Sequence, residues 1–408
     1  MKIAGIICEC DPPHAGHAYL LHRAAQESDA VVCLLSGAFC QRAAPAVLDK
    51  HARAQMLLSM GADLVLEHPF PSAAAGAEAF ARSGVAALSG IGVTSLWFGS
   101  ECGDLDLLRG AAEKTASASF QTAYADACKN SRRGTADLYF DLLRTVCGAS
   151  APVGPNDTLA IAYLKAISSL QADVTARTVK RLGSGFSDAD LPENGFPSAT
   201  ALRQLLLSGA ADRVYPCLPN DACRDILRRE LDRGMAPISF AKADSALLGL
   251  LRLCDPEKFR SCAGLDGGLG ERILKSAAEA TSFADLLSRV ATKKYPDARI
   301  RRGILFGLLG VTAADLVSSP AYLGLLASGP VGRKILSRVR KTDGISAVPV
   351  VSSRSAIPRT PAAARVWEME NRAAALISLC YPSSVSAADL LRRWFVNPSK
   401  PVDKSPQM

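Results

Sequence analysis

The chain has 408 residues, 49% hydrophobic and 21% charged, with a formal net charge of +8. That balance excludes a disordered polyelectrolyte and predicts about two or three globular domains, at roughly 150 residues each. No uninterrupted apolar stretch reaches the roughly 20 residues that a membrane helix needs, and the first run, IAGIIC, is shorter than a signal-peptide core; the expected place is the cytoplasm, away from any membrane.

Taken in order, KIAGIICEC predicts a buried strand and AYLLHRAAQES a helix. DAVVCLLSG is a second strand, KHARAQMLLSMGA a second helix and DLVLEHP a third strand. GAEAFARSGVAALSG is then helical and SLWFGSE is a fourth strand. Short β-rich runs separated by helical periods predict a Rossmann-like α/β domain with a parallel sheet and crossover helices. In such sheets ligands bind at the carboxyl ends of the strands. DPPHAGH, SGAFCQR and FGSE all fall there. Next come the helix NDTLAIAYLKAISSL, the strand DVTARTVKRL, the loop GSGFSDADLPENGFP and the helix SATALRQLLLSGA. Beyond it Leu-rich helical periods dominate, as in ADSALLGLLRL and RIRRGILFGLLG, with one extended run at AVPVVSS. We therefore expect a sheet domain over 1–210, a mainly α-helical domain over 211–396 and a disordered tail over 397–408.

The 12 cysteines are scattered with no Cys-x-x-Cys pair, so they read as small buried hydrophobes rather than zinc ligands. Cys8 and Cys10 alternate along the first strand and should face opposite sides. The second half is basic. Between Arg289 and Lys341 only Asp297 and Asp315 oppose two clusters, which include Arg301 and Arg302 in one and Arg333, Lys334, Arg338 and Arg340 in the other. Solvated helix faces would explain either cluster alone; two in one half point to a polyanion partner.

In DPPHAGH the prolines set an extended turn, Gly16 permits close backbone approach, and His17 opens the next helix. A helix N-terminus presents unpaired N–H groups and partial positive charge, which suit phosphate. Two imidazoles there can donate to phosphoryl oxygens during nucleotidyl transfer. A metal site would need further ligands that no neighbouring spacing supplies, and no Ser sits in a nucleophile-elbow pattern. In PSATALR, Ser198 reads as an N-cap, while Thr200 and Arg203 share a helix face. Hydroxyl, backbone donors and guanidinium there converge on an anion.

A first-strand loop ending in HxGH, followed far downstream by S-x-T-x-x-R at a helix start, resembles the paired signature of HxGH nucleotidyltransferases. DPPHAGH alone resembles the nicotinate mononucleotide adenylyltransferases, which are much shorter chains. Nearly the whole length resembles the bacterial tRNA(Met) cytidine acetate ligases, through SGAFCQRAAPAVLDKHARAQMLLSMGADLVLEHP, EAFARSGVAAL, LWFGSE, GPNDTLAIAYLKAI, TVKRLGSGF, RIRRGILFGLLG and GPVGRKILSRVRK. That resemblance implies an enzyme that activates acetate with ATP as acetyl-adenylate and acetylates the wobble cytidine of elongator tRNA(Met). It implies that Ile7, Cys8, Glu9, Cys10, Asp11, Pro12, Pro13, His14, Ala15, Gly16 and His17 form the ATP loop, with His14 and His17 catalytic. Gly99, Asn156 and Arg181 would be further ATP contacts, and Ser198, Thr200 and Arg203 would complete the phosphate site. Mg²⁺ would accompany ATP, and Arg301, Arg302, Arg333, Lys334, Arg338 and Arg340 would hold tRNA. The family usually has Glu-Tyr-Asn-Pro-Phe where Glu9-Cys10-Asp11-Pro12-Pro13 stands, Gly where Ala43 stands, and His where Ser187 stands. Two other readings fit parts of the pattern: an adenylyltransferase for a small phosphorylated precursor, and a non-catalytic nucleotide-binding RNA partner.

Overall fold

Each apolar run of the first hundred residues forms the element its pattern predicts: β1 Ile3–Cys8, α1 Ala15–Gln26, β2 Ala30–Ser36, α2 Lys50–Ser59, β3 Leu64–His68, α3 Ala77–Gly90 and β4 Ser95–Ser100. β2 and β3 are buried at every position, as expected of parallel strands covered on both faces. Three helices follow, α4 Leu105–Ala116, α5 Ala118–Asn130 and α6 Thr135–Cys147, before α7 Pro155–Ser169, β5 Thr175–Lys180 and α8 Ala199–Leu207. The computed structural model describes residues 1–131, 133–181, 196–316, 319–341 and 348–393, and leaves aside the side chains of Arg340 and Lys341. The tail 397–408 and most of the GSGFSDADLPENGFP loop, Ser187 included, lie outside the described residues.

The sheet runs β5-β4-β1-β2-β3 with all four pairings parallel. The chain builds outward from β1 on one side and returns to start the other side at β4, so the topological switch point lies between β1 and β4. On one face α1 and α2 bury Leu21, Ala24, Ala54 and Leu57. On the other, α3 and α7 bury Phe80, Val85, Leu88 and Ile161.

The second half contains α9 Asp221–Asp232, α10 Asp244–Leu253, α11 Pro256–Arg260, α12 Leu269–Glu279, α13 Phe283–Val290 and α14 Asp297–Leu309, and after the strand and helix described next, α16 and α17 at Pro361–Ser378 and Ala387–Arg392. Two features join it to the first half. Val214, Leu218, Cys223 and Leu227 share a core with Val47, Leu48, Met56, Leu202 and Leu206, so packing is continuous across Ala210. Then β6 Leu323–Ser328 joins the first-half sheet antiparallel to β3, α15 Pro330–Lys341 packs on that sheet, and β7 Val350–Val351 pairs with β6. The run LGLLAS is apolar throughout, and a short buried strand of that kind cannot be told from a buried helix by periodicity. The helical core that starts at Ile238 closes over Phe39 and Phe70, in the loops that follow β2 and β3. It thereby roofs the carboxyl edge of the sheet.

Candidate active site

A cavity of about 690 Å³ opens at the switch point. β1 contributes Ile7 and Cys8, the loop after it Glu9, Cys10, Asp11, His14, Gly16 and His17, and β4 contributes Gly99. Asn156, Arg181, Ser198, Arg203 and Arg301 complete the polar wall, with Gln41 and Arg42. Pro12, Pro13 and Ala15 are not part of the lining; they shape the turn behind it. Thr200 stands just behind, accepting hydrogen bonds from Arg42 Nη1 and Arg203 Nη2, each at 2.9 Å.

His14 is the N-cap of α1. Its Nδ1 accepts the Gly16 N–H at 3.1 Å, and His17 Nδ1 accepts the His14 N–H at 3.2 Å. An accepting Nδ1 carries no proton, so each neutral ring holds its proton on Nε2. Burial, and the charges of His17, Arg181 and Arg203, push His14 well below the usual imidazole range. Burial and Arg181 push His17 down to about 3. At neutral pH the pair therefore offers two fixed N–H donors rather than two imidazolium ions. A Cβ on Gly16 would sit 2.9 Å from the His14 ring, so this position must lack a side chain.

Asp11 does not confront the cavity with an open charge. Its Oδ1 accepts the Val47 N–H at 2.8 Å, and Oδ2 lies 3.6 Å from Arg203 Nη1, which also donates to the Asp11 carbonyl at 2.9 Å. Arg203 thus ties α8 to the histidine loop. Ser198 is the expected cap: its hydroxyl accepts the Ala201 N–H at 3.0 Å. Across the cavity Glu101 caps α7, taking the Asp157 N–H at 2.8 Å and Asn156 Nδ2 at 2.5 Å, with Arg181 Nε at 4.0 Å. Glu101 positions both expected contacts, although it was not singled out from the sequence.

Arg53 escaped the sequence reading, and Arg42 was legible there only as part of the SGAFCQR stretch, without a role. Arg53 is fully buried on α2 and donates to the carbonyls of Leu48, Glu9 and Gly37, clamping the end of β1 to the loop after β2. Arg42 sits on a tight turn in which Ala43 takes a φ of 53°, the left-handed region that favours the glycine more usual there.

Cys8 and Cys10 do not face opposite sides. β1 ends at Cys8 and Cys10 turns with a φ of 46°, so both enter one core cluster. The basic clusters also divide. Arg302 donates to the carbonyls of Ala74 and Gln41 at 2.8 and 2.7 Å, and Arg301 lines the cavity. Arg333, Lys334 and Arg338 are exposed on α15, and the Arg340 side chain lies outside the described residues.

A doubly wound sheet, with two imidazoles opening the helix after its first strand and guanidiniums across the cleft, defines a nucleotidyltransferase-type protein. The family described as HIGH Nucleotidyl Transferase matches residues 1–391. The chain is 31% identical over 400 residues to the tRNA(Met) cytidine acetate ligase of Acetivibrio thermocellus, covering 93% of this chain and 95% of that one. It is 32% identical over 359 residues to the enzyme of the same name from Listeria monocytogenes, covering 86% and 90%. Two crystal structures of Thermotoga maritima TmcAL match at a TM-score of 0.85 and 29% identity: the apo form covers 94% of this chain and 96% of that one, and the form bound with alpha-thio ATP covers 95% and 98%. The chain belongs to the tRNA(Met) cytidine acetate ligase family.

Proposed function

We propose that the chain activates acetate with ATP and transfers the acetyl group to the wobble cytidine of elongator tRNA(Met), giving N4-acetylcytidine. The observation that carries this is the pair of Nε2–H donors of His14 and His17 set opposite Arg203 in the switch-point cavity of a member of this family. In the first step an acetate oxygen attacks the α-phosphorus and pyrophosphate leaves. The imidazole donors and Arg203 stabilise the charge that builds on the phosphoryl oxygens and the leaving group. In the second step the cytidine N4 attacks the acyl carbon, the nitrogen loses a proton and AMP departs.

Mg²⁺ fits here as a companion of the triphosphate rather than in a protein cage. Glu9 is engaged with the Gln41 N–H at 2.5 Å and Asp11 with Val47 and Arg203. No group of three or more metal-ligating side chains occurs among the described residues. When bound with ATP the ion would neutralise phosphate charge.

The test is acetate-dependent ATP–pyrophosphate exchange by the purified protein, followed by mass spectrometry of nucleosides from tRNA(Met) incubated with it. Exchange without acetylcytidine would leave a small-molecule adenylyltransferase; tRNA binding without exchange would leave a non-catalytic partner. Because His14 and His17 are both held below the usual imidazole range, no inflection near pH 6.5 should arise from them. The exchange rate should stay level between pH 8 and pH 5.5, measured as kcat at saturating ATP and acetate. A fall centred near pH 6.5 that disappears in His17→Gln would contradict neutral donors.

For tRNA, α15 is the surface that fits. The register of β6 and β7 sends this helix from the amino edge of β3 back toward the carboxyl edge that holds the cavity. Replacing Arg333, Lys334, Arg338 and Arg340 together with Gln should weaken tRNA binding and flatten its dependence on log salt, by about 0.9 per lost phosphate contact. Pyrophosphate exchange should continue, since Arg333, Lys334 and Arg338 do not line the cavity. An unchanged salt slope would make the cluster a solvated face.

A further inference from the structure

The cavity receives guanidiniums from both halves of the chain: Arg42, Arg181 and Arg203 from the first and Arg301 from α14. Arg301 and Arg302 are adjacent yet differently used. The two short bonds of Arg302 to backbone carbonyls lock α14 onto the loops after β2 and β3. Among the described residues Arg301 has long contacts, to the Asp297 carboxylate at 3.7 Å and to the Arg42 carbonyl at 3.4 Å, and its side chain is 22% exposed. Asp297 itself is 60% exposed.

Cations crowd this end of the cavity. Arg42 and Arg203 face Glu9 and Asp11, whose carboxylates already serve the turn or Arg203, and Arg301 adds a third guanidinium with Asp297 beside it. Burial pushes Arg301 below the usual guanidinium range; Asp297 opposes the shift and the charge of Arg203 adds to it, which marks the two cations as neighbours that repel. Arg42 is also pushed down by burial and by Arg203. Assembling three such cations costs free energy in the empty protein, and a bound polyanion offsets it. The histidines open α1 beside Arg181, whose charge bears on both, while Arg301 enters from α14 against the Arg42 carbonyl. The reacting α-phosphorus belongs beside the imidazoles. The far end of the phosphate chain then reaches the Arg203–Thr200–Arg42 corner that Arg301 joins.

We propose that Arg301 binds the β- and γ-phosphates of ATP, completing from the helical half a site begun in the sheet domain, with Arg302 as its positioning residue. This rests on the ATP reading above. A planar guanidinium can give two parallel hydrogen bonds to one phosphate, which a lysine cannot. The same chemistry would suit the carboxylate of acetate, and the test separates the two.

Full-length wild-type, Arg301→Gln and Arg301→Lys proteins are compared by thermal shift with inorganic tripolyphosphate and with AMP. Arg301→Gln should bind tripolyphosphate about 10-fold or more weakly, the scale of a lost charge-assisted contact, and AMP as before. Arg301→Lys should recover only part. In exchange assays the KM for ATP should rise about as much while the KM for acetate stays put. Arg302→Gln should weaken tripolyphosphate but not AMP, and Arg302→Lys, which can keep only one of the two carbonyl bonds, should restore it in part. If Arg301→Gln responds to tripolyphosphate like the wild type, the assignment of Arg301 falls while the ATP reading stands. If the wild type itself responds to neither tripolyphosphate nor ATP, the ATP reading falls and this one with it. A rise in the KM for acetate alone would overturn the phosphate assignment in favour of the carboxylate. Normal nucleotide binding with weakened tRNA binding would return Arg301 to the RNA surface.

Discussion

His17→Ala should lower acetate-dependent pyrophosphate exchange by about 10²- to 10³-fold, the usual effect of removing one preorganised donor from a developing oxyanion. The loss should appear in kcat more than in the KM for ATP, because the donor is aimed at charge that grows in the transition state. His17 Nδ1 already accepts the His14 N–H, so its proton sits on Nε2 and the ring needs no reorganisation to donate. Removing the ring also removes that acceptor, at the cost of a helix cap, about 1 kcal/mol. The variant should therefore fold, melt a few degrees lower at most, and still bind ATP. His17→Gln offers an amide N–H and should recover part of the rate. A folded His17→Ala protein with wild-type kcat would remove His17 from the chemistry.

What could be read from the sequence follows the physics of each signal. β1 to β4 and their helices were legible because buried parallel strands are continuous apolar runs separated by helical periods. The histidine loop and the Ser198–Arg203 helix start were legible because they combine residue type with a position at an element boundary. Arg53 was not, since a basic residue at a helical position looks solvated until the carbonyls of Glu9 and Gly37 close around it. The contacts of Arg301 and Arg302 were hidden for a related reason. A run of basic residues gives total charge but not the direction of each side chain, and both turn toward the Gln41–Arg42 carbonyls because α14 roofs the cavity. β6 was hidden by its leucines, and the packing across Ala210 by the fact that composition says nothing of which core a Leu joins.

Lys50→Met should cost about 3–5 kcal/mol of stability, the usual effect of stranding one member of a buried ion pair. Lys50 Nζ lies 2.7 and 2.8 Å from the two Glu67 oxygens, with side chains only 5% and 3% exposed. Glu370, reaching in from α16, accepts the Phe70 N–H at 2.9 Å. Burial and the neighbouring Glu67 charge hold the Glu370 carboxyl well above the usual range, so it stays protonated and Lys50 and Glu67 remain the charged pair. Glu370→Gln, which keeps an acceptor for Phe70, should accordingly change stability little. Without Lys50, Glu67 loses its cation and its folded-state pKa, already raised by burial, rises further. A folded-state pKa above the unfolded one favours folding below the unfolded value near 4.5 and loses that advantage as pH rises toward the folded one. The Lys50→Met defect should thus be larger at pH 8 than at pH 5.5, read as the shift in urea midpoint. Adding Glu67→Leu should recover most of the loss, because an apolar pair of similar volume carries no buried charge. Lys50 also opens α2, which carries Arg53 and its grip on the Glu9 carbonyl, so the single variant should lose exchange activity at temperatures where it is still folded. Equal defects at the two pH values, or no recovery in the double variant, would mean that Lys50 acts through packing rather than through its charge.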